Sequence, residues 1–139
     1  MDEDIQYIEQ WGVKIARDNT AALIPLCDVY VASISATIQW AIACGKPVLN
    51  YDVYRYHYND YLGVDGVIAV EDREQFLAAL RQLTGDPAYY REIAARQAGF
   101  AERWGKLDGR AGERLLQLFE RLGAQYPAMW EKPISACQG

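Results

Sequence analysis

Apolar positions change their period several times along the chain, and the changes mark the elements. Val29 to Ala32 and Val48 to Tyr51 are short, nearly continuous apolar runs rich in β-branched and aromatic residues, the pattern of parallel strands covered on both faces. Between them Ile34, Ile38, Ala41 and Ile42 recur at helical spacing, with Ala36 and Ala43 small enough for close contact with a sheet. Gly45 supplies a left-handed cap and Pro47 forbids continuation. The segment therefore reads as a strand, a Ser/Thr-rich turn, a helix over Ser35–Cys44 and a second strand: a βαβ unit.

The same reading extends to both sides. Asp2 to Trp11 has a helical pattern, and Val13 to Ala16 fits a strand. Asp18, Asn19 and Thr20 offer a cap for a short helix, made irregular by Pro25. After the βαβ unit comes a tyrosine-rich loop, Val53 to Tyr61, and then a strand from Val67 to Val70. Asp72 and Gln75 resemble a capping box for a helix carrying Phe76, Leu77, Leu80 and Leu83, which Gly85 ends. Asp86-Pro87 restarts helix, with Ile93, Gln97, Phe100 and Trp104 as its stripe. Asp108 is expected to cap a last helix whose Leu115, Leu116, Phe119 and Leu122 face a core and which Gly123 closes. Tyr126, Met129 and Trp130 give the tail the means to dock on the body. Four short strands alternating with helices predict an α/β fold, a Rossmann-like three-layer sandwich around a parallel sheet. Residues 1–123 form that domain and residues 124–139 the tail. Because such domains usually carry more strands, one or more first strands are expected to lie outside the chain.

Composition narrows the function. At 139 residues the chain is one domain, and its net charge of −5 with a pI near 4.8 opposes a general nucleic-acid or membrane-surface role. No apolar run is long enough to span a bilayer, so a cytoplasmic protein is expected, with the inner membrane face as the alternative for the full-length protein. Cys27, Cys44 and Cys137 form no CxxC pair and read as reduced core thiols. With one histidine and no spaced carboxylate motif, no metal site is expected.

Two places carry candidate chemistry. Ser33, Ser35 and Thr37 stand at the carboxyl end of a parallel strand, where open α/β sheets bind ligands; their hydroxyls either cap the helix or hold an anion, since both use the same geometry. The loop after Asp52 leaves on the same side. Its Tyr54, Tyr56, Tyr58 and Tyr61, with Arg55, His57 and Asn59, either recognise a sugar or an acceptor, with Arg55 against a phosphate, or pack on the body or on a partner domain. Nothing in the sequence sets a carboxylate beside His57, so no general base is assigned.

The stretch CDVYVASISATIQWAIACGKPVLNYD, followed by GVDGVIAVEDREQFLAAL and LDGRAGERLLQLFERL, resembles the C-terminal domain of GT-B glycosyltransferases. It is similar more widely to bacterial polysaccharide glycosyltransferases and UDP-N-acetylglucosamine 2-epimerases. The resemblance covers roughly Val13 to Leu122. It implies a domain that holds a nucleotide-diphosphate sugar without cofactor or metal and works with a separate N-terminal domain. Transfer would go to a cell-surface glycan acceptor, and this chain alone would be inactive, its catalytic residues unidentified. Ser33, Ser35, Ala36 and Thr37 match the turn that holds the donor diphosphate. Trp40 stands where the family usually has the acidic residue that bonds ribose, and Gln39 matches the first of two adjacent acidic residues of the epimerases. Gln39 can still bond a ribose hydroxyl, and Trp40 either packs or stacks on a base. The departure keeps two alternatives open, a non-catalytic GT-B-like binding module and a nucleotide-sugar epimerase.

Overall fold

A computed structural model describes residues 2–57 and 59–126. The chain divides into two compact units, the first being residues 1–105 and the second beginning at Lys106.

The first unit is built on a three-stranded parallel sheet in the order β1 (Tyr30–Ala32), β2 (Val48–Tyr51), β3 (Val67–Val70). Before it come α1 (Asp2–Glu9), α2 (Thr20–Leu23) and a 3-10 turn over Ile24–Leu26. Asn19 caps α2 by accepting the Ala21 N–H at 2.9 Å, and Pro25 confines the following turn to 3-10 geometry. Helix α3 (Ile38–Ala43) joins β1 to β2, while α4 (Arg73–Gly85) and α5 (Pro87–Ala101) follow β3. The sheet has three strands, not four. Val13–Ala16 is irregular and largely exposed, because no described strand offers its backbone a partner, and strand propensity alone does not make a strand.

Alternation along β2 assigns its two faces. Val48 packs in one cluster with Ile24, Ile38, Ala41, Ile42 and Tyr61. Tyr51, on the opposite parity, stacks on Phe76 of α4 with ring centroids 4.9 Å apart. Helices thus cover both faces, and Val48 and Leu49 are fully buried.

Local chemistry ends each helix where the pattern requires. At α3, Gly45 takes φ +66, its N–H bonds the Ile42 carbonyl, and the Lys46 N–H reaches the Ala41 carbonyl, both at 2.9 Å. This pair of bonds is a Schellman cap, and it lets Pro47 lead straight into β2. Asp72 caps α4 through the Gln75 N–H at 2.8 Å, and Asp86 caps α5 through the Ala88 and Tyr89 N–H groups. The α5 stripe is as patterned: Ile93 and Gln97 are buried and Trp104 meets Tyr61 with ring centroids 5.7 Å apart. Cys27 and Cys44 are free, partly buried thiols, and burial pushes the Cys27 thiol above its ordinary value.

In the second unit, α6 (Ala111–Gln125) runs past Gly123, as a glycine within a helix can. Asp108 is not its N-cap residue: Arg110 holds that position without a side-chain bond. Asp108 instead accepts the Arg110 N–H and pairs with Arg114 at 2.8 Å, and the Arg114 guanidinium foremost holds its carboxyl below the usual range. Leu115, Leu116, Phe119 and Leu122 are exposed, not core, because among its described residues this unit contains no second element to cover them. The tail residues Met129, Trp130 and Cys137 lie outside the described residues, and Tyr126 is exposed.

Two substitutions test this packing. Ile38 is fully buried between α3 and the sheet, so Ile38→Ala should cost about 2–5 kcal/mol in urea unfolding. Gly66 has φ +81 and an added Cβ would overlap the Gln97 side chain; Gly66→Ala should lose about 1–3 kcal/mol in the same measurement. A wild-type midpoint for either would remove that contact from the core.

Candidate functional site

The carboxyl ends of β1, β2 and β3 lie on one edge of the sheet, as parallel pairing requires. Register sets Ala32 opposite Asn50 and Asn50 opposite Ala69. What each strand does on leaving the sheet therefore decides the chemistry at this edge.

β2 runs out into Asp52, which is 7% exposed. One of its carboxylate oxygens accepts the Tyr56 N–H at 3.1 Å and the other the His57 N–H at 2.7 Å. The loop is wrapped around this carboxylate, and the wrapping forces Arg55 and His57 into left-handed backbone, φ +53 at each. Such conformations cost on the order of 1–3 kcal/mol for residues other than glycine. Two charge-assisted bonds to a buried carboxylate offset that cost.

His57 Nδ1 then lies 3.1 Å from an oxygen of Glu71, the residue following β3. The carboxylate partner that sequence spacing did not supply comes from the neighbouring strand. Both side chains are exposed, so this contact orients the loop more than it stabilises it.

Loop and strand ends enclose a cavity of about 510 Å³, lined by Asn50, Asp52, Arg55, His57, Glu71 and Gln75 among others. The volume falls in the usual range for small-molecule sites. Asn50 is 3% exposed and its Oδ1 has no hydrogen-bond partner within the chain. A buried acceptor left unpaired is costly and unusual.

The tyrosines divide between two duties. Tyr61 is a core residue, while Tyr54 and Tyr56 are exposed and stack on one another with centroids 5.6 Å apart. Tyr58 lies outside the described residues.

The turn after β1 differs from the expected helix start. α3 begins at Ile38, three residues later than the pattern suggested. Ile34 has φ +47, a rare conformation for a β-branched residue, and the residues after it first close i→i−3 turns, with the Ile38 and Gln39 N–H groups on the Ser35 and Ala36 carbonyls, before i→i−4 bonding starts with the Ala41 N–H on the Thr37 carbonyl. Thr37 Oγ1 is bonded to the Tyr30 hydroxyl at 2.5 Å and to Ser35 Oγ at 2.6 Å, and Ser35 Oγ accepts the Thr37 N–H at 3.3 Å. These two hydroxyls are engaged with one another. Ser33 is different: its hydroxyl is buried without a partner in the chain. Ala36 and Gln39 are exposed, and Trp40, read as either packing or stacking on a base, is 49% exposed. None of these turn and helix residues lines the cavity described above.

The structure thus brings Arg55 and His57 together with Asn50, Asp52 and Glu71, and keeps Ser33, Ser35, Ala36 and Thr37 as a separate turn on the same sheet edge. Asn50 and Asp52 were not singled out by sequence reasoning. Their signal was present, however, in a polar residue inside the apolar run VLNY and a carboxylate closing it. Among the described residues no group of His, Cys, Asp and Glu could hold a metal ion, and no helix is long and apolar enough to cross a membrane. The chain matches no protein-family model, no curated protein and no solved structure.

Asp52 carries the loop, and its removal should be felt there first. Asp52→Ala should cost about 1.5–3 kcal/mol for lost bonds to a charged group and expose the Tyr56 and His57 amides to rapid hydrogen exchange. Unchanged protection at those amides would show that the loop holds its shape without the carboxylate.

Proposed function

We propose that the chain is the donor-binding part of a GT-B-type glycosyltransferase, taking a nucleotide-diphosphate sugar at the carboxyl edge of its sheet and serving transfer to a cell-surface glycan. The observation that carries this reading is the turn after β1. Ser33 buries a hydroxyl without a partner in the chain, beside an isoleucine held at φ +47, at the strand end where open α/β sheets take phosphorylated ligands. The resemblance of this turn and of the GKPV exit to GT-B donor domains supplies the class of ligand. Ser33 would donate to the diphosphate directly. Ser35 and Thr37, now bonded to each other and to Tyr30, would turn their protons toward the ligand or hold the turn in shape. Hydroxyl and amide donors aimed at the leaving diphosphate stabilise the charge that develops as the glycosyl bond breaks. The acceptor and the catalytic base belong to a separate N-terminal domain in this proposal.

A second reading has its own observation. Gln39 and Trp40 are both exposed and neither is the carboxylate that grips ribose in the resembled family, which favours a GT-B-like module that no longer catalyses transfer. Calorimetric titration of the full chain with UDP, GDP and CDP separates the two. The donor reading expects one of them to bind and the Ser35→Ala/Thr37→Ala double variant to bind at least about tenfold more weakly, since even one lost bond to a charged group costs on the order of 1.5–3 kcal/mol. Lowered stability with unchanged nucleotide affinity would make the two hydroxyls structural, and failure of all three nucleotides to bind the wild-type chain would leave the module.

A further inference from the structure

A recess lies at the amino edge of the sheet, opposite the edge that carries the Ser33 turn. Asp28 and Val29 lead into β1 there, and the corner between α4 and α5 brings Leu83, Pro87, Tyr90 and Arg91 against them. The recess has a volume of about 410 Å³, within the usual range for a small-molecule site. Tyr90 ties the corner to the strand, its hydroxyl donating to the Asp28 carbonyl at 3.1 Å. Burial foremost pushes the Tyr90 phenol above its ordinary value, so it keeps the proton that makes this bond.

Two opposite charges stand on this lining without neutralising each other. Among the described residues neither Asp28 nor Arg91 takes part in an ion pair, so the recess has one negative and one positive pole. Hydrogen-bond inventory sharpens the picture. The Tyr90 and Thr84 hydroxyls give their protons to the Asp28 and Leu80 carbonyls and keep lone pairs only, as does the Asp28 carboxylate. Arg91 is the side chain of the lining with protons still to donate. The remaining wall, Val29, Leu83 and Pro87, is apolar.

We infer that this recess binds a zwitterion with an apolar body, an α-amino acid of the leucine type, its carboxylate on Arg91 and its ammonium on Asp28, Tyr90 and Thr84. A guanidinium matches a carboxylate in shape as well as charge, and an ammonium has protons for several acceptors. The aliphatic side chain lies against Val29, Leu83 and Pro87, removing apolar surface from water on both partners. A ligand with only a negative charge meets Asp28, and one with only a positive charge meets Arg91, so the pair of poles selects for both charges together. The site shares no residue with the Ser33 turn and needs no nucleotide; it stands independently of the function proposed above.

The test is an amide-resolved NMR titration of the full chain at neutral pH with leucine, leucinamide, N-acetyl-leucine and glycine as separate probes. Leucine should shift the backbone amides of Asp28, Val29, Thr84, Tyr90 and Arg91. Leucinamide lacks the carboxylate and N-acetyl-leucine the ammonium; each should bind about two- to fivefold more weakly, as for one exposed ion pair. Glycine, with no side chain for the apolar wall, should bind about tenfold more weakly. Arg91→Gln should erase the advantage of leucine over leucinamide, and Asp28→Asn its advantage over N-acetyl-leucine. Both side chains are exposed, and the ranking of the four probes on the wild-type chain is decisive without either variant. Absence of shifts at these amides with leucine near its solubility limit, or equal binding by leucinamide or N-acetyl-leucine, would overturn the inference. So would a preference for leucine that survives in both variants.

Discussion

The structure depends on β2 being paired in parallel on both sides. A strand hydrogen-bonded to two neighbours and covered on both faces has no solvent-facing side, and Val48 and Leu49 accordingly have no exposure. Shifting it by one residue would exchange the cluster around Ile38 for the stack on Phe76. Its register is therefore fixed by both faces at once. The position of Asn50 within the strand and of Asp52 just beyond it follows from that register, and so does the layout of the carboxyl edge.

A tension sits at that edge. Folding usually leaves few buried polar atoms without partners, yet Ser33 and Asn50 each bury one at the ends of adjacent strands. Left-handed Ile34, Arg55 and His57 belong to the two segments that leave those strands. Strain and unpaired polarity gathered at one sheet edge are the signature of a place shaped for something other than stability. The exposed apolar face of α6 is of another kind, a helix of the second unit with a regular stripe and few partners of its own.

Much of this was legible in the sequence because the relevant forces are local. The two apolar runs, the small-residue helix between them, Gly45 with Pro47, and the capping aspartates at Asp72 and Asp86 each act within a few residues, and each performs its expected duty. What was not legible depends on neighbours distant in sequence. Val13–Ala16 has strand-forming residues but needs a pairing edge that no described segment gives it. The leucines of α6 have a core-like period, but period says which residues share a face and not whether anything covers them. The candidate site shows the same division. Arg55 and His57 were found from their place after a strand, whereas Glu71 reaches His57 only through the pairing of β2 with β3. Asn50 gained significance only once its burial and lack of a partner could be seen.

The chain has a single histidine, and the fold sets it at the rim of the cavity in contact with Glu71. Once the amides are exchanged into heavy water, an imidazole Hε1 proton resonates downfield of the Tyr, Phe and Trp ring protons, and here it can come from one residue only. His57 is thus a built-in spectroscopic label: without any added tag, its Hε1 line reports the surroundings and occupancy of this one corner of the molecule. Changes there can be followed separately from changes in the Ser33 turn, which contains no histidine and stays silent in that window.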